Sequence, residues 1–177
     1  MKRIVGGLGM VGGMALGLAA CAHGSGSPGA TAVTGSTTTL ARTAKAHIGQ
    51  ELIITRPSGY HLGITVTGVV DPATSAQEPT PGNRIVAAQV SLDNTGSQNA
   101  SGNVNNQLTM IGSDSHQYSA SSIPIQNCSN FNGGPYSLNS GDVVTGCVAF
   151  QLPTSVGVTS LKFVPNPGSV EGVWTNP

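Results

Sequence analysis

Along residues 84–93 apolar side chains recur at every second position: Val86, Ala88, Val90 and Leu92 share one face, Gln89, Ser91 and Asp93 the other. That period of two belongs to a strand with one face in a core and one toward water. Residues 142–152 repeat it, with Val144, Gly146, Val148, Phe150 and Leu152 in phase. Leu62, Ile64 and Val66 form a third apolar face and Leu161 with Phe163 a fourth, while shorter strands are expected over 51–55, 107–111 and 117–120. Turn formers separate these runs: Pro79-Thr80-Pro81-Gly82, Asn94-Thr95-Gly96, Asn132-Gly133-Gly134-Pro135, Asn139-Ser140-Gly141-Asp142 and Pro165-Asn166-Pro167-Gly168. No ten-residue stretch of helical period appears over residues 21–177. About seven short strands punctuated in this way predict an all-β domain, an antiparallel β-sandwich, over residues 47–177.

Ahead of residue 47 the alternation stops. Lys2 and Arg3 precede an uncharged, apolar run over residues 4–20 that closes on the small residues Ala19 and Ala20. This is the build of a signal peptide, residues 1–20. An uncleaved membrane helix is the alternative, but Gly6, Gly7, Gly9, Gly12, Gly13 and Gly17 dilute the hydrophobicity and the run is slightly short for a span. Leu18-Ala19-Ala20-Cys21 resembles the lipobox of bacterial lipoproteins. In that family the cysteine thiol receives a diacylglycerol and the signal peptidase cuts immediately before it. The resemblance therefore implies Cys21 as a lipid attachment site; an ordinary signal peptide with an incidental cysteine is the other reading. Two or more acyl chains hold a protein durably at a membrane, at about 0.8 kcal/mol per buried methylene. The expected location is the extracytoplasmic face of the cell membrane, with residues 21–46 as a flexible tether. Gly24, Ser25, Gly26, Ser27, Pro28 and Gly29 cannot build a core, and a coil of this length reaches roughly 25–30 Å.

Composition narrows the function. Charged residues make up 8% of the chain and aromatics 4%, with a net charge of zero and no basic or acidic block. A nucleic-acid partner is therefore not expected. Once Lys2 and Arg3 are removed, Arg42, Lys45, Arg56, Arg84 and Lys162 face seven acidic residues, a net charge of −2 that adds no pull toward anionic lipid.

After Cys21, two cysteines remain, Cys128 and Cys147. In an oxidising compartment such a pair is expected to form a disulfide. A redox pair would be close-spaced, and zinc would need further ligands nearby. Strand parity sets Cys147 on the face opposite Val148 and Phe150. The bridge is thus expected to point away from the main core and staple residues 127–139 to the outside of their strand.

Val90-Ser91-Leu92-Asp93-Asn94-Thr95-Gly96 resembles a strand-then-N-T-G element of the telokin-like family. Gly141-Asp142 followed by Gly146-Cys147-Val148-Ala149-Phe150-Gln151-Leu152-Pro153 is similar to that family's late strand. These are immunoglobulin-like extracytoplasmic domains of unknown function, common on Gram-positive and actinobacterial lipoproteins; the shape also resembles that of secreted mycobacterial sandwich proteins. The resemblance covers roughly residues 48–175 and implies a fold and a location, with no catalytic residue to carry over. Trp174 lies too late in the chain, and the cysteines too close together, for an antibody-type domain.

The residues supply little catalytic chemistry. His23, His47, His61 and His116 stand apart from one another and from paired carboxylates, so no metal and no other cofactor beyond the lipid on Cys21 is expected. Residues 93–96 lack the alternating oxygen ligands of a calcium loop and read as a turn. No G-x-S-x-G occurs, and the acidic residues are scattered. The expectation is a monomeric, non-catalytic interaction module that binds an envelope protein or polymer. The rival is a carrier or sensor of a small apolar ligand, with Ala87, Ala88 and Ala149 leaving room for a cleft; an envelope enzyme is a third class. Tyr60, Tyr118, Tyr136, Phe131 and Trp174 are the candidate surface aromatics. Phe131 and Tyr136, which share the cysteine-bounded loop, are the candidate recognition residues, the alternative being that both rings pack that loop onto the sheet.

Overall fold

A computed structural model describes residues 43–56, 59–131, 133–165 and 170–175. The expected signal peptide, Cys21 and the expected tether as far as residue 42 lie outside the described residues. Eleven strands form among the described residues, in place of the seven expected: β1 (Thr43–His47), β2 (Glu51–Arg56), β3 (Tyr60–Val70), β4 (Asn83–Asn94), β5 (Ala100–Asn103), β6 (Leu108–Gly112), β7 (Gln117–Ser121), β8 (Pro135–Leu138), β9 (Val143–Pro153), β10 (Val158–Phe163) and β11 (Glu171–Thr175). A single-turn helix, α1 (Val104–Gln107), is capped by the Asn103 side chain, which accepts from the Asn105 and Asn106 amides.

Nine strands hydrogen-bond in the order β1-β11-β10-β6-β7-β9-β4-β3-β2. The row folds into two layers because β7 serves both. Its first residues pair with Thr109–Ile111 of β6, and its last two, Ala120 and Ser121, pair with Phe150 and Ala149 of β9. The result is the all-β sandwich read from the alternation. β5 and β8 form a separate two-stranded ribbon.

The strands start earlier than expected. Residues 43–46, expected in the tether, join His47 in a strand that pairs in parallel with Glu171–Thr175. Two alanines in a five-residue strand are a faint apolar signal, and β11 supplies the partner that makes it a strand.

The core lies between the layers. One inner face contributes Leu62, Ile64, Val66, Val86, Val90, Leu92, Val148, Phe150 and Leu152, the other Leu108, Met110, Leu161, Phe163 and Trp174, all buried. These are the alternating positions of the sequence pattern. Trp174, expected at the surface, is wholly buried: Gly172 leaves space for its ring, and its Nε1 donates to the Gln50 carbonyl at 2.9 Å. Tyr60 is buried as well.

A second, smaller cluster sits on the outer face of β4 and β9. Ile85, Ala87, Cys147 and Ala149 are roofed there by Ala73 and Ile123, with Ile125 and Cys128 against them. Ala87, Ala88 and Ala149 are all fully buried, so the room expected for an apolar ligand at these positions is taken by neighbours.

The two motifs that carried the telokin-like resemblance meet at one end of the sandwich. The Asn94 amide donates to the Asp142 carbonyl at 3.0 Å, and the Gly141 amide donates to the Asn94 carbonyl at 2.8 Å. Residues 94–96 form a turn closed by the Asn94 side chain, which accepts from the Gly96 amide at 3.1 Å. Glycine is required at 96: a Cβ there would lie 2.6 Å from the Gly59 oxygen and the His61 nitrogen.

Candidate functional site

Cys128 and Cys147 are joined, with their Cα atoms 5.8 Å apart. Cys147 points to the outer face, as its parity required, and packs in the smaller cluster. The attached segment does not stay outside, however. From Cys128 it passes over the edge of β9, where the Ser129 carbonyl accepts from the Cys147 amide at 2.7 Å, and it enters the main core at Phe131. Asn127 and Phe131 take left-handed backbone conformations to make this crossing, with φ of 57° and 45°. Gly146 makes the crossing possible, since a Cβ there would stand 2.7 Å from the Phe131 ring.

Phe131 is 4% exposed and Tyr136 7%, both inside the main core. The candidate recognition residues are therefore corrected: the rings anchor the loop and present no surface. The physical reason is a glycine under each: the Phe131 ring fills the space over Gly146, and the Tyr136 hydroxyl the space over Gly102. Tyr118, the last of the five aromatics, is half-buried, and its hydroxyl donates to Asp114 Oδ2 at 2.8 Å. That bond holds Asp114 below the ordinary carboxylate value and raises Tyr118 above the ordinary phenol value. His116 Nδ1 lies 3.1 Å from the same oxygen. Among the described residues no group of three or more His, Cys, Asp or Glu side chains gathers at metal-binding distance, and no helix is long and apolar enough to cross a membrane.

What remains open is the other half of the outer face of β2, β3, β4 and β9. Strand register lays its side chains in rows. Ile53, Gly63, Asp93 and Val143 form one, and Glu51, Thr65, Ser91 and Thr145 the next. Gly68, Gln89 and Cys147 then lead to the disulfide. A bulge at Thr67 flips the parity of β3, turning Val69 inward and Val70 outward. Ile53 is 55% exposed and Val143 59%, about 14 Å apart at one strand spacing per step. Between them the Glu51 carboxylate lies over side-chain-free Gly63 beside Asp93. Neither carboxylate has an ion-pair partner among the described residues.

Where this face meets the disulfide there is a hollow of about 310 Å³, lined by Thr67, Gln89, Asn127, Cys128, Ser129 and Thr145 among others. Hydroxyls and carboxamides make it a hydrogen-bonding surface. A second hollow, about 330 Å³, lies beside Arg84. Its cation is already engaged: Arg84 donates to both Asp71 oxygens at 2.6 and 2.7 Å and to the Pro153 and Val156 carbonyls at 2.6 and 2.8 Å. The Asp71 bonds raise its pKa further. Arg84 is thus a clamp on the neighbouring loops.

Sequence reasoning missed Gln89, Asn127, Val143 and Thr145. The signal for Val143 was legible: parity places it on the polar side of its strand, where a valine has no core to fill.

Residues 59–173 match the family model described as a domain of unknown function, DUF4352. The chain belongs to this family. None of the curated proteins matches it. Among solved structures, this DUF4352 chain is similar to MPT63, a secreted protein from Mycobacterium tuberculosis. Their TM-score is 0.55 at 18% identity, covering 76% of this chain and 98% of that one. It is also similar to the yjhA protein from Bacillus subtilis, with a TM-score of 0.51 at 14% identity, covering 75% of this chain and all of that one. An uncharacterized β-sandwich protein from Clostridium difficile aligns with a TM-score of 0.45 at 14% identity. At these identities the likeness to MPT63 and yjhA is one of fold.

Proposed function

We propose that this protein is a lipid-anchored module of the cell envelope, held on the extracytoplasmic face of the membrane by Cys21. In this reading its DUF4352 sandwich binds another protein without catalysing a reaction. The charged n-region, apolar run and lipobox-like seam support the anchor, and the secretion of structurally similar MPT63 and a disulfide in the domain support an oxidising location. The observation that carries the binding role is the open outer face, where exposed Ile53 and Val143 flank hydroxyls, the polar hollow and two carboxylates with no ion-pair partner among the described residues. A protein partner fits better than a glycan. Sugar sites draw much of their contact energy from exposed aromatic faces, and Tyr60, Phe131, Tyr136 and Trp174 are all buried. The carrier reading loses its footing with Ala87, Ala88 and Ala149 buried.

A photo-crosslinking residue placed at Gln89 in living cells should capture one discrete envelope protein, while the same residue at exposed Gln117, on the β6–β7 hairpin, should not. Identical capture from both positions, or none from Gln89, removes this assignment.

A further inference from the structure

β9 changes neighbours along its length. Phe150 and Ala149 pair with β7, and at Cys147 the Ser129 carbonyl takes over. Ahead of Cys147 the edge has no strand beside it among the described residues. Alternation decides which groups face that edge. The Cys147 amide points to it, whereas the Asp142 carbonyl points to β4, where it accepts from Asn94. Val143 and Thr145 therefore aim both N–H and C=O outward. None of these four groups has a hydrogen-bond partner among the described residues. Strand edges are commonly guarded by a lysine, a proline, a bulge or a covering loop, because an open edge templates pairing with another chain. Val143-Val144-Thr145 has no lysine or proline and runs in unbroken register with β4, with Val143 and Thr145 exposed.

We infer that this edge receives an extended basic segment of a partner protein as an added strand. The inference rests on the interaction-module reading above and names the mode and the chemistry of the partner. In strand addition the backbone supplies affinity and alternate side chains supply selectivity. A lysine set opposite Val143 lays its methylenes over that exposed valine and reaches two strand spacings, about 10 Å, to the Asp93 carboxylate, the direct cross-strand neighbour of Val143. Glu51 lies one strand further, over Gly63, and Asp142 precedes the edge. Beyond Thr145 the added strand meets the polar hollow. A second copy of this chain would bring the same carboxylates to both sides of the seam, so charge selects a basic partner over self-pairing.

The test is titration of the full-length chain with a fluorescent heptapeptide of alternating lysine and valine, followed by anisotropy, alongside hydrogen exchange at the Thr145 amide. Binding that weakens with added salt is expected, together with about tenfold greater protection of Thr145. Thr145→Pro removes an edge donor that no bond among the described residues uses and should weaken binding about tenfold; Asp93→Asn should weaken it and flatten its salt dependence. The inference is overturned by equal binding of a glutamate–valine heptapeptide, by Thr145 protection that does not change, or by a dimer in sedimentation that Thr145→Pro abolishes. If Thr145→Pro does not fold, exchange on the unaltered chain still decides. Capture of a partner from Gln89 in cells, with no peptide binding here, would leave the interaction role standing and remove the basic-strand assignment alone.

Discussion

The Asn94 side chain donates to the Gln98 and Leu138 carbonyls at 2.8 and 2.9 Å and accepts from the Gly96 amide, while its backbone joins the turn before β9. It is a fully buried polar residue with every group engaged, which is how a polar side chain becomes tolerable in a core. In the sequence it looks like one residue of a polar turn, because its partners at Leu138 and Asp142 lie far along the chain. The aromatics were misjudged for a related reason. Alternation reports which face of a strand a residue occupies; it says nothing of whether a loop ring meets a glycine-lined hole such as the one over Gly146. At this scale the Tyr118–Asp114 bond also makes a pH prediction. Asp114 titrates below the ordinary carboxylate value, so its contribution to stability is present above that value and lost as pH falls through its depressed pKa. Tyr118 titrates above the ordinary phenol value, so its share is present below that value and lost as pH rises through the raised pKa. Tyr118→Phe should move the Asp114 carboxyl titration, followed by NMR, upward toward the ordinary range. An unchanged titration would mean the bond is not made in solution.

Between elements, the cysteine bridge joins the segment ahead of Phe131 to β9 across 19 residues of chain. Closing a loop of that length in the unfolded chain removes entropy worth about 3 kcal/mol. Changing both cysteines to alanine should lower the free energy of unfolding by about that amount in urea titrations. A loss under about 1 kcal/mol would show that the Phe131 ring and the Ser129–Cys147 backbone bond hold the crossing without the covalent link. The long strands were legible because their partners are long too: β4 pairs with β9 over eleven positions and both alternate cleanly. β1, β5, β8 and β11 were not, since four or five residues of mixed character become strands only where a neighbour pairs them. The open edge of β9 lay beyond any reading of periodicity, because vacancy beside a strand depends on where every other strand goes.

For the molecule as a whole, the layered all-β architecture followed from the sequence pattern, and the strand count and the domain start did not. The anchor is read from residues 1–21 and is tested independently of the fold. Replacing Cys21 with serine should shift the protein from the membrane fraction to the soluble extracytoplasmic fraction, or leave an uncleaved precursor, in fractionation followed by intact-mass measurement. Unchanged partition with normal processing refutes lipidation. The candidate surface belongs to this scale as well, since Ile53, Asp93 and Val143 come from three strands and become one row only in the assembled sheet.

β1 runs parallel to β11, with Thr43 beside Glu171 and His47 beside Thr175. A pull on the chain ahead of Thr43, directed along the strand, therefore loads all five paired positions at once, in shear, instead of peeling them one after another. A domain moored at its N-terminal side and gripped elsewhere by a partner would meet mechanical tension at its most resistant geometry.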